Sequence, residues 1–260
     1  MIVQNIEREA ENLKANFFCD IGNIILNLIY PPVCCFCGTR LSPLNRIFVC
    51  DECANSLPYC RRANRCTHCG KPIAEGSLCS HCSLTKSNLK GITAPFVYDG
   101  CAKSAVIAFK REQNAMNAKT LSLYVSEMIK YDFGGVEFDC VVSAPPRKDR
   151  MQSEKYDQAA QLARHVARRL SLPYFKNILC QKEETKKQST LSTDERLNNV
   201  FGKFAAVGSN RVKDKTVLVI DDVCTTGATF EECARVLKEC GAYRIYAASV
   251  ATTAMQSENK

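Results

Sequence analysis

The sequence predicts an α/β protein in which a parallel sheet flanked by helices follows a small cysteine-rich domain. Two observations carry this prediction. Beyond about Leu89, stretches typical of strands alternate with stretches typical of helices, which is the order of βαβ units. Before it, four C-x-x-C pairs occupy a region with few aliphatic residues. We therefore expect an N-terminal amphipathic helix (1–31), a double zinc ribbon (32–88) and an α/β domain (89–255).

The cysteine count indicates metal binding. The chain of 260 residues has 17 cysteines, an odd number, and no stretch typical of an export signal. This favours thiolates on metal in a reducing cytoplasm over a disulfide framework. No stretch has the uninterrupted apolar length that a bilayer requires, so no stable membrane span is expected.

The charge gives only modest support for nucleic-acid binding. The formal net charge is +8 when every cysteine is neutral. Eight thiolates on two Zn²⁺ ions would lower it by four, to about +4.

The first predicted element is a helix that ends at Pro31-Pro32. Its apolar residues recur at spacings of three and four, and they are Phe17, Ile21, Ile24, Ile25 and Leu28. We expect this face to pack on the rest of the protein, with membrane contact as the less favoured alternative.

The cysteine pairs predict two structural zinc sites. The pairs are Cys34/Cys37, Cys50/Cys53, Cys66/Cys69 and Cys79/Cys82. Two residues between paired cysteines let a turn direct both sulfurs at one ion, and two pairs complete a tetrahedral site. Twelve residues separate the first two pairs and nine the last two, as in successive ribbons, although a crossed pairing stays open. Zinc binding, at about 10–16 kcal/mol for a structural site, would supply the folding energy.

Other residues near the cysteine pairs are not expected to bind zinc. Cys35 breaks the spacing of the first pair, and Cys60 has no partner at the required distance. His68 and His81 lie inside the third and fourth pairs, where a histidine is more often a spacer than a ligand.

Two groups of arginines could contact phosphate. Their members are Arg61, Arg62 and Arg65 between the ribbons, and Arg164, Arg168 and Arg169 outside the inner face of a predicted helix. For both groups a solvated surface is the favoured interpretation, with nucleic-acid contact as the alternative. His165 is expected to be exposed.

The α/β domain is predicted element by element. The expected strands are Ile92–Tyr98, Phe138–Ser143, Thr216–Ile220 and Tyr243–Ala251, and the expected helices are Ala102–Arg111, Thr120–Lys130 and Tyr156–Leu170. The second strand opens into Ala144-Pro-Pro-Arg-Lys148. Loops at the ends of parallel strands are where ligands bind in open α/β sheets.

The strand Thr216–Ile220 leads into the most informative stretch of the sequence. Asp221-Asp222 close the strand, and Thr225-Thr-Gly-Ala-Thr229 lead into a helical pattern. A helix N-terminus reached through small residues favours a phosphate, and Gly227 permits close approach. The acids would repel that phosphate unless they bound vicinal hydroxyls and a hydrated Mg²⁺. These requirements together describe phosphoribosyl pyrophosphate, PRPP.

The same stretch carries a family resemblance. Val219-Ile-Asp-Asp-Val-Cys-Thr-Thr-Gly-Ala-Thr229 resembles the PRPP-binding signature of type I phosphoribosyltransferases. Over almost its whole length the chain is similar to the ComF family, in particular ComFC, whose phosphoribosyltransferase-like members are linked to natural competence. The further matching residues are Phe96-Val-Tyr-Asp-Gly100, Phe109-Lys110, Pro145, Arg147, Arg150 and Asp157-Gln158. One departure is Glu154-Lys-Tyr156, where the family usually has Arg-Gly-Phe.

The resemblance implies roles for individual residues. It implies that Asp221 and Asp222 hold the ribose hydroxyls and the Mg²⁺ waters, and that the loop residues hold the 5′-phosphate. The loop residues are Thr225, Thr226, Gly227, Ala228 and Thr229, and the cations placed to meet pyrophosphate are Arg147, Lys148 and Arg150, with Lys110 as a weaker candidate.

Three functions are consistent with the resemblance. The first is a PRPP-binding protein of DNA uptake that transfers phosphoribose to an unnamed acceptor with Mg²⁺. The second is a non-catalytic PRPP sensor that binds single-stranded DNA or a competence helicase. The third is a ribbon-bearing salvage enzyme of nucleoside metabolism.

Overall fold

A computed structural model describes residues 27–45, 47–60, 65–71, 73, 75–84, 86–112, 115–146, 157–182 and 201–253. The helices are α1 (Asp51–Ser56), α2 (Ser80–Leu84), α3 (Gly100–Glu112), α4 (Ala115–Phe133), α5 (Gln158–Arg169) and α6 (Ala228–Glu239). The strands are β1 (Gly91–Thr93), β2 (Phe96–Val97), β3 (Cys140–Ser143), β4 (Leu179–Gln181), β5 (Phe204–Ala206), β6 (Thr216–Cys224) and β7 (Arg244–Thr252).

Five of these strands form one parallel sheet in the order β1-β7-β6-β3, with β2 also pairing with β7. Ser143 lies opposite Ile220 in the β3–β6 register. The carboxyl ends of β3 and β6 therefore lie side by side, and the segments that follow them meet at one edge. β4 and β5 form a separate antiparallel pair.

Helices cover both faces of the sheet. Leu218 and Ile220 of β6 belong to the apolar cluster formed with α3, α4 and α5, whereas Val217 and Val219 belong to the cluster formed with α6. All four side chains are fully buried. This alternation explains the uninterrupted apolar run in the sequence, since a strand covered on both faces needs apolar residues at successive positions.

The predicted elements are present, with changes at their ends. The expected strand Ile92–Tyr98 is divided into β1 and β2 around Pro95, whose nitrogen has no hydrogen to donate to a neighbouring strand. α5 begins only at Gln158, because Asp157 caps it by accepting a hydrogen bond from the Ala160 amide at 2.9 Å. The proposed domain boundaries remain a prediction.

The ribbons pack directly on this domain. In the first ribbon, the Phe36 ring packs on Phe96 of β2, with 5.6 Å between ring centroids. In the second, the amide of Ile92 in β1 donates to the carbonyl of His68 at 2.7 Å. The two ribbons therefore contact successive strands of the same sheet.

The described end of the predicted N-terminal helix does not pack as expected, since Leu28 is 65% exposed. Phe17, Ile21, Ile24 and Ile25 lie outside the described residues. Among the described helices, none combines the length and the apolar character needed to cross a bilayer.

Candidate functional site

The loop between β6 and α6, here called the phosphate loop (Thr225–Gly227), has the predicted order of strand, acids, turn and helix. β6 continues through Asp221 and Asp222 to Cys224, four residues beyond its predicted end, because pairing with β7 extends to Thr252. Thr225 and Thr226 are exposed. Gly227 has φ 87° and precedes the first helical residue, and no side chain caps α6 there. The Ala228 amide donates to the Thr226 hydroxyl at 3.3 Å, and the next amides of the first turn can receive an anion.

Two carboxylates lie near the end of β6, separated from this loop by Val223 and Cys224. The Asp221 side chain accepts a hydrogen bond from the Asp222 amide at 2.8 Å. Burial, reinforced by the charge of Asp222, raises the pKa of Asp221 to about 7, although the Asp222 amide and the Lys110 ammonium oppose this rise. Asp221 therefore changes its protonation near neutral pH, where uptake of a cation would favour the ionised form.

Lys110 joins the site from the end of α3. Its Nζ lies 3.0 Å from Oδ2 of Asp222, and both side chains are largely buried. Its carbonyl accepts a hydrogen bond from Nε2 of Gln158 at 3.3 Å, which ties α3 to the first turn of α5. The structure thus brings the weaker candidate of the sequence analysis into contact with the diacid pair.

Asp157 is a third carboxylate near the pair. Burial raises its pKa, and the charge of Asp222 contributes to the rise. At the end of β3, the Ser143 and Tyr174 hydroxyls lie 3.1 Å apart. The sequence analysis gave Asp157 no role beyond the family resemblance, since its neighbours in space come from distant segments.

The cysteines form two tetrads. One contains Cys34, Cys37, Cys50 and Cys53 and the other Cys66, Cys69, Cys79 and Cys82, and within each the four sulfurs lie within 4.8 Å of one another. The consecutive pairing is therefore confirmed and the crossed pairing is excluded. Four converging thiols fit a structural zinc site.

The neighbouring side chains agree with this assignment. A hydrogen bond with Thr39, at 3.2 Å from sulfur to oxygen, contributes most to lowering the pKa of Cys37 to about 6, which favours the thiolate that zinc needs. Cys35 and Cys60 are buried outside both tetrads. His68 is not a ligand, and within the described part of the chain its Nε2 is buried without a hydrogen-bond partner.

Comparison with known proteins agrees with both halves of the structure. Residues 156–260 match the family model "Phosphoribosyl transferase domain", and residues 25–83 match "Double zinc ribbon domain". "Competence protein ComFC" of Streptococcus pneumoniae is 25% identical over 75% of this chain and 83% of its own length. "DNA utilization protein YhgH" of Salmonella typhimurium is 25% identical over 83% of this chain and 94% of its own length. The chain is thus similar to the ComF proteins, and we call it ComF-like.

A further relative is matched over a shorter region. "Competence protein F" of Haemophilus influenzae is 31% identical to the ComF-like chain, over 41% of this chain and 47% of that protein. The match thus spans about half the length of this relative.

The fold of the ComF-like chain is that of a type I phosphoribosyltransferase, a parallel sheet flanked by helices, preceded by a double zinc ribbon. Among solved structures, a glutamine PRPP amidotransferase from B. subtilis is 23% identical, with a TM-score of 0.36 over 52% of this chain and 26% of that one. An adenine phosphoribosyltransferase is 12% identical, with a TM-score of 0.31 over 60% of this chain and 80% of that one.

Not every predicted residue of the ComF-like chain can be placed. Arg147, Lys148 and Arg150 lie outside the described residues, as do Arg61 and Arg62. Arg65 is buried and forms an ion pair with Asp132, so neither a solvated linker nor a phosphate contact describes it.

A cavity of about 80 Å³ lies beside Arg65, and its lining includes no residue of the phosphate loop. Its lining residues are Arg65, Cys66, Thr67, Gly70, Ile92, Asp132 and Phe133. At the loop itself, Thr253 donates through its hydroxyl to the Thr225 carbonyl at 3.1 Å and fastens the turn to the end of β7. The cavity therefore belongs to the contact between the second ribbon and the sheet.

Proposed function

We propose that this ComF-like chain binds PRPP with Mg²⁺ at the phosphate loop and acts in DNA uptake. The observation that supports it is the pair Asp221-Asp222 at the end of β6, followed through residues 223–227 by the N-terminus of α6, where Gly227 offers no side-chain cap. The amides of that terminus match the 5′-phosphate, and the carboxylates match the ribose diol.

The same carboxylates fit Mg²⁺. Asp221 and Asp222 offer hard oxygen donors, and neither residue is completely buried, so waters can complete the shell of an ion held through them. Bound Mg²⁺ would neutralise charge on the diphosphate. Lys110 must then exchange its contact with Asp222 for one with the ligand, and we place Arg147, Lys148 and Arg150 at the pyrophosphate.

Phosphoribosyl transfer is the reaction that such a complex supports. A nitrogen of the acceptor forms a bond to C1 of the ribose while the bond from C1 to the pyrophosphate oxygen breaks, and the electron pair leaves with pyrophosphate. The chain would contribute orientation and charge stabilisation without a covalent intermediate. The acceptor is not assigned, and a ligand-binding protein without turnover uses the same contacts.

Substitution of Asp222 tests the site. Asp222→Ala removes the carboxylate that would hold the diol and the Mg²⁺ waters, so affinity for PRPP with Mg²⁺ should fall at least about 100-fold. Titration calorimetry measures the change. Glu137→Ala, an exposed acid at the opposite end of β3, is the control and should bind as the wild type does. Equal affinities of Asp222→Ala and wild type would refute the site.

A basic surface supports the second candidate function, binding of single-stranded DNA. α5 carries no acidic residue from Gln158 to Arg169. Arg164 and Arg168 are one turn apart, about 6 Å along the axis, which is close to the spacing of phosphates along a single strand. His165 is half-buried rather than exposed, and burial, followed by the charges of Arg168, Arg169, Lys119 and Arg164, lowers its pKa.

The charges of this surface are not compensated locally. Among the described residues, Lys119, Arg164 and Arg168 form no ion pair. Like charges one helical turn apart destabilise a helix slightly, so a polyanion laid across this face would relieve a repulsion. We propose that Lys119, Arg164 and Arg168 contact a DNA backbone.

Salt dependence tests this surface. In the combined variant Lys119→Gln, Arg164→Gln and Arg168→Gln, affinity for a thymidine oligonucleotide should fall, and the slope of log K against log salt should decrease by about two, at about 0.7 per lost phosphate contact. Lys103→Gln, Lys213→Gln and Arg244→Gln together make a control of equal charge on exposed residues elsewhere. Fluorescence anisotropy measures both, and equal slopes for the two variants would contradict the assignment.

A further inference from the structure

The second zinc ribbon lies with its backbone directly against β1. The turn between its first two ligands closes when the Gly70 amide donates to the Cys66 carbonyl at 2.9 Å. Gly70 has φ 70°, and a Cβ at this position would lie 2.7 Å from the Ile92 carbonyl oxygen. Together with the hydrogen bond from Ile92 to His68, this contact leaves no space for a side chain between the zinc turn and the strand.

β1 in turn touches the phosphate loop. The Ile92 side chain is buried, and its Cδ1 lies 3.8 Å from the position a Cβ would take on Gly227. Phe230 in the first turn of α6 shares one apolar cluster with Ile92 and with three zinc ligands, Cys66, Cys69 and Cys79. The zinc turn, β1 and the loop are therefore adjacent in the fold.

A second connection joins the same two regions. Ser87, which follows the last zinc ligand by five residues, donates through its hydroxyl to the Glu231 carboxylate, and the Asn88 amide donates to the same carboxylate at 3.2 Å. Glu231 lies in the first turn of α6, where its amide donates to the Gly227 carbonyl at 2.9 Å. The segment leaving the ribbon is thus tied to the turn that begins at Gly227.

The first ribbon is attached elsewhere. Its ligands Cys34 and Cys53 belong to the apolar cluster on the opposite face of the sheet, with α3, α4 and α5. Phe36 of this ribbon packs edge-on against Tyr124 of α4, with 5.9 Å between ring centroids. The two ribbons therefore differ, because the second is connected to α6 whereas the first packs against α4 on the opposite face of the sheet.

We propose that the second zinc ribbon positions the phosphate loop, through Ile92 and through the Glu231 carboxylate, so that zinc at this ribbon and not at the first sets the geometry of the loop. Loss of this support frees Thr225–Gly227 and the first turn of α6 and lowers affinity for the phosphate ligand. The effect on affinity rests on the proposed function, whereas the effect on the loop is a property of the free protein.

Glu231→Gln tests the second connection without touching a zinc ligand. Hydrogen exchange of the amides at 225–231 in the free protein should become about tenfold faster, because a charge-assisted attachment is lost. Affinity for PRPP with Mg²⁺ should fall about three- to tenfold. The control is Glu239→Gln, which changes a hydrogen-bonded carboxylate at the other end of the same helix. It should leave both the exchange rate at 225–231 and the affinity for PRPP at wild-type values.

Removal of one zinc at a time tests the difference between the ribbons. Elemental analysis should give two zinc ions per wild-type chain and one in each of Cys37→Ser and Cys82→Ser. Exchange at 225–231 should rise in Cys82→Ser and stay at the wild-type rate in Cys37→Ser.

Wild-type exchange at 225–231 in both Glu231→Gln and Cys82→Ser would overturn the proposal, as would equal increases in the two cysteine variants. If Cys82→Ser does not fold, Glu231→Gln against Glu239→Gln decides alone. If the wild type does not bind PRPP, the proposed function fails, and the exchange rates still decide whether the ribbon holds the loop.

Discussion

At the scale of single residues, the ionised Asp221 lowers the stability of the free protein and provides a carboxylate for ligand binding. Its pKa of about 7 lies above the value of 3.8 for a free aspartate because the carboxyl is buried beside Asp222. For an acid whose pKa is raised by folding, the stabilising contribution is present at low pH and is lost as the pH rises through the folded pKa. Above pH 7 the site therefore holds an ionised group that the fold disfavours and that a bound cation would stabilise.

Asp221→Asn should accordingly stabilise the free protein at pH 8, by up to about 4 kcal/mol, because each tenfold change in an acid dissociation constant corresponds to about 1.36 kcal/mol. At pH 5 the advantage should shrink to roughly 1–2 kcal/mol, because the folded carboxyl is then neutral while the unfolded one, with a pKa of 3.8, is still ionised, and it should disappear only below about pH 4. Urea unfolding at both pH values measures this. A variant no more stable than wild type at pH 8 would contradict the assigned protonation.

The same substitution should weaken PRPP binding at pH 8, because the amide cannot replace a carboxylate toward Mg²⁺. In the wild type, affinity should increase from pH 6 to pH 8 as Asp221 ionises. Calorimetry at constant ionic strength measures the affinity at each pH, and an affinity that does not change with pH would contradict this role of Asp221.

The sequence was sufficient to predict the phosphate loop and the zinc ligands because each is a contiguous pattern. Asp221 through Thr229 lie on one strand, turn and helix, and each tetrad comes from two neighbouring pairs. The ion pair of Lys110 with Asp222 and the proximity of Asp157 could not be predicted in this way. They depend on how α3 and α5 are placed against the sheet, which is decided by packing.

At the scale of elements, Glu232 connects α6 to the β4–β5 pair. Its buried carboxylate accepts from the amides of Gly202 at 2.8 Å and Phe204 at 3.4 Å, and from Arg235 through two nitrogens at 2.8 Å each. Burial alone would raise the pKa of Glu232, but the hydrogen bonds from Arg235 and the two amides outweigh it and lower the pKa. The ionised form is therefore part of the folded structure.

Glu232→Gln should cost about 2 kcal/mol at pH 7, because the charge-assisted hydrogen bonds are lost. Since folding lowers the pKa, the contribution is complete above the unfolded value of 4.5 and is lost as the pH falls through the folded pKa. The difference from wild type in urea unfolding should shrink below about pH 4. Glu239→Gln, whose side chain is 64% exposed, should have little effect.

The ends of elements were less predictable than their existence. The expected strand over Ile92–Tyr98 is apolar throughout, yet Pro95 interrupts its hydrogen bonding. Conversely β6 continues past its apolar run, because Val223 and Cys224 find partners in Ala251 and Thr252 of β7. Where a strand ends depends on its neighbouring strand, and a local sequence pattern carries no information about that neighbour.

At the scale of the whole molecule, a buried polar group joins the second ribbon to the α/β domain. Arg65 forms an ion pair with Asp132 of α4, and Thr93 of β1 donates through its hydroxyl to the same carboxylate. The Arg65 and Asp132 side chains are only 6% and 9% exposed. Each of these buried side chains therefore has its charge balanced by the other.

Asp132→Ala should destabilise the protein by about 3–5 kcal/mol, because it leaves the Arg65 charge buried and unpaired. Replacing both members, Arg65→Met with Asp132→Leu, should recover much of this loss, since no buried charge then remains. Thermal unfolding of the zinc-loaded chains compares the three proteins. A double variant as unstable as Asp132→Ala would show that the ion pair is not the cause.

The order of the strands has a consequence for how the chain is made. β1 precedes β2, β3 and β6 in the chain, but its neighbour in the sheet is β7, which follows all of them, so the sheet cannot close until β7 has been synthesised. Until then β1 and β6 each present an unpaired edge on which a nascent chain could aggregate. The ribbons need only zinc and local segments to fold. They can therefore shield β1 and β2 during translation, before the central strand β7 has been synthesised.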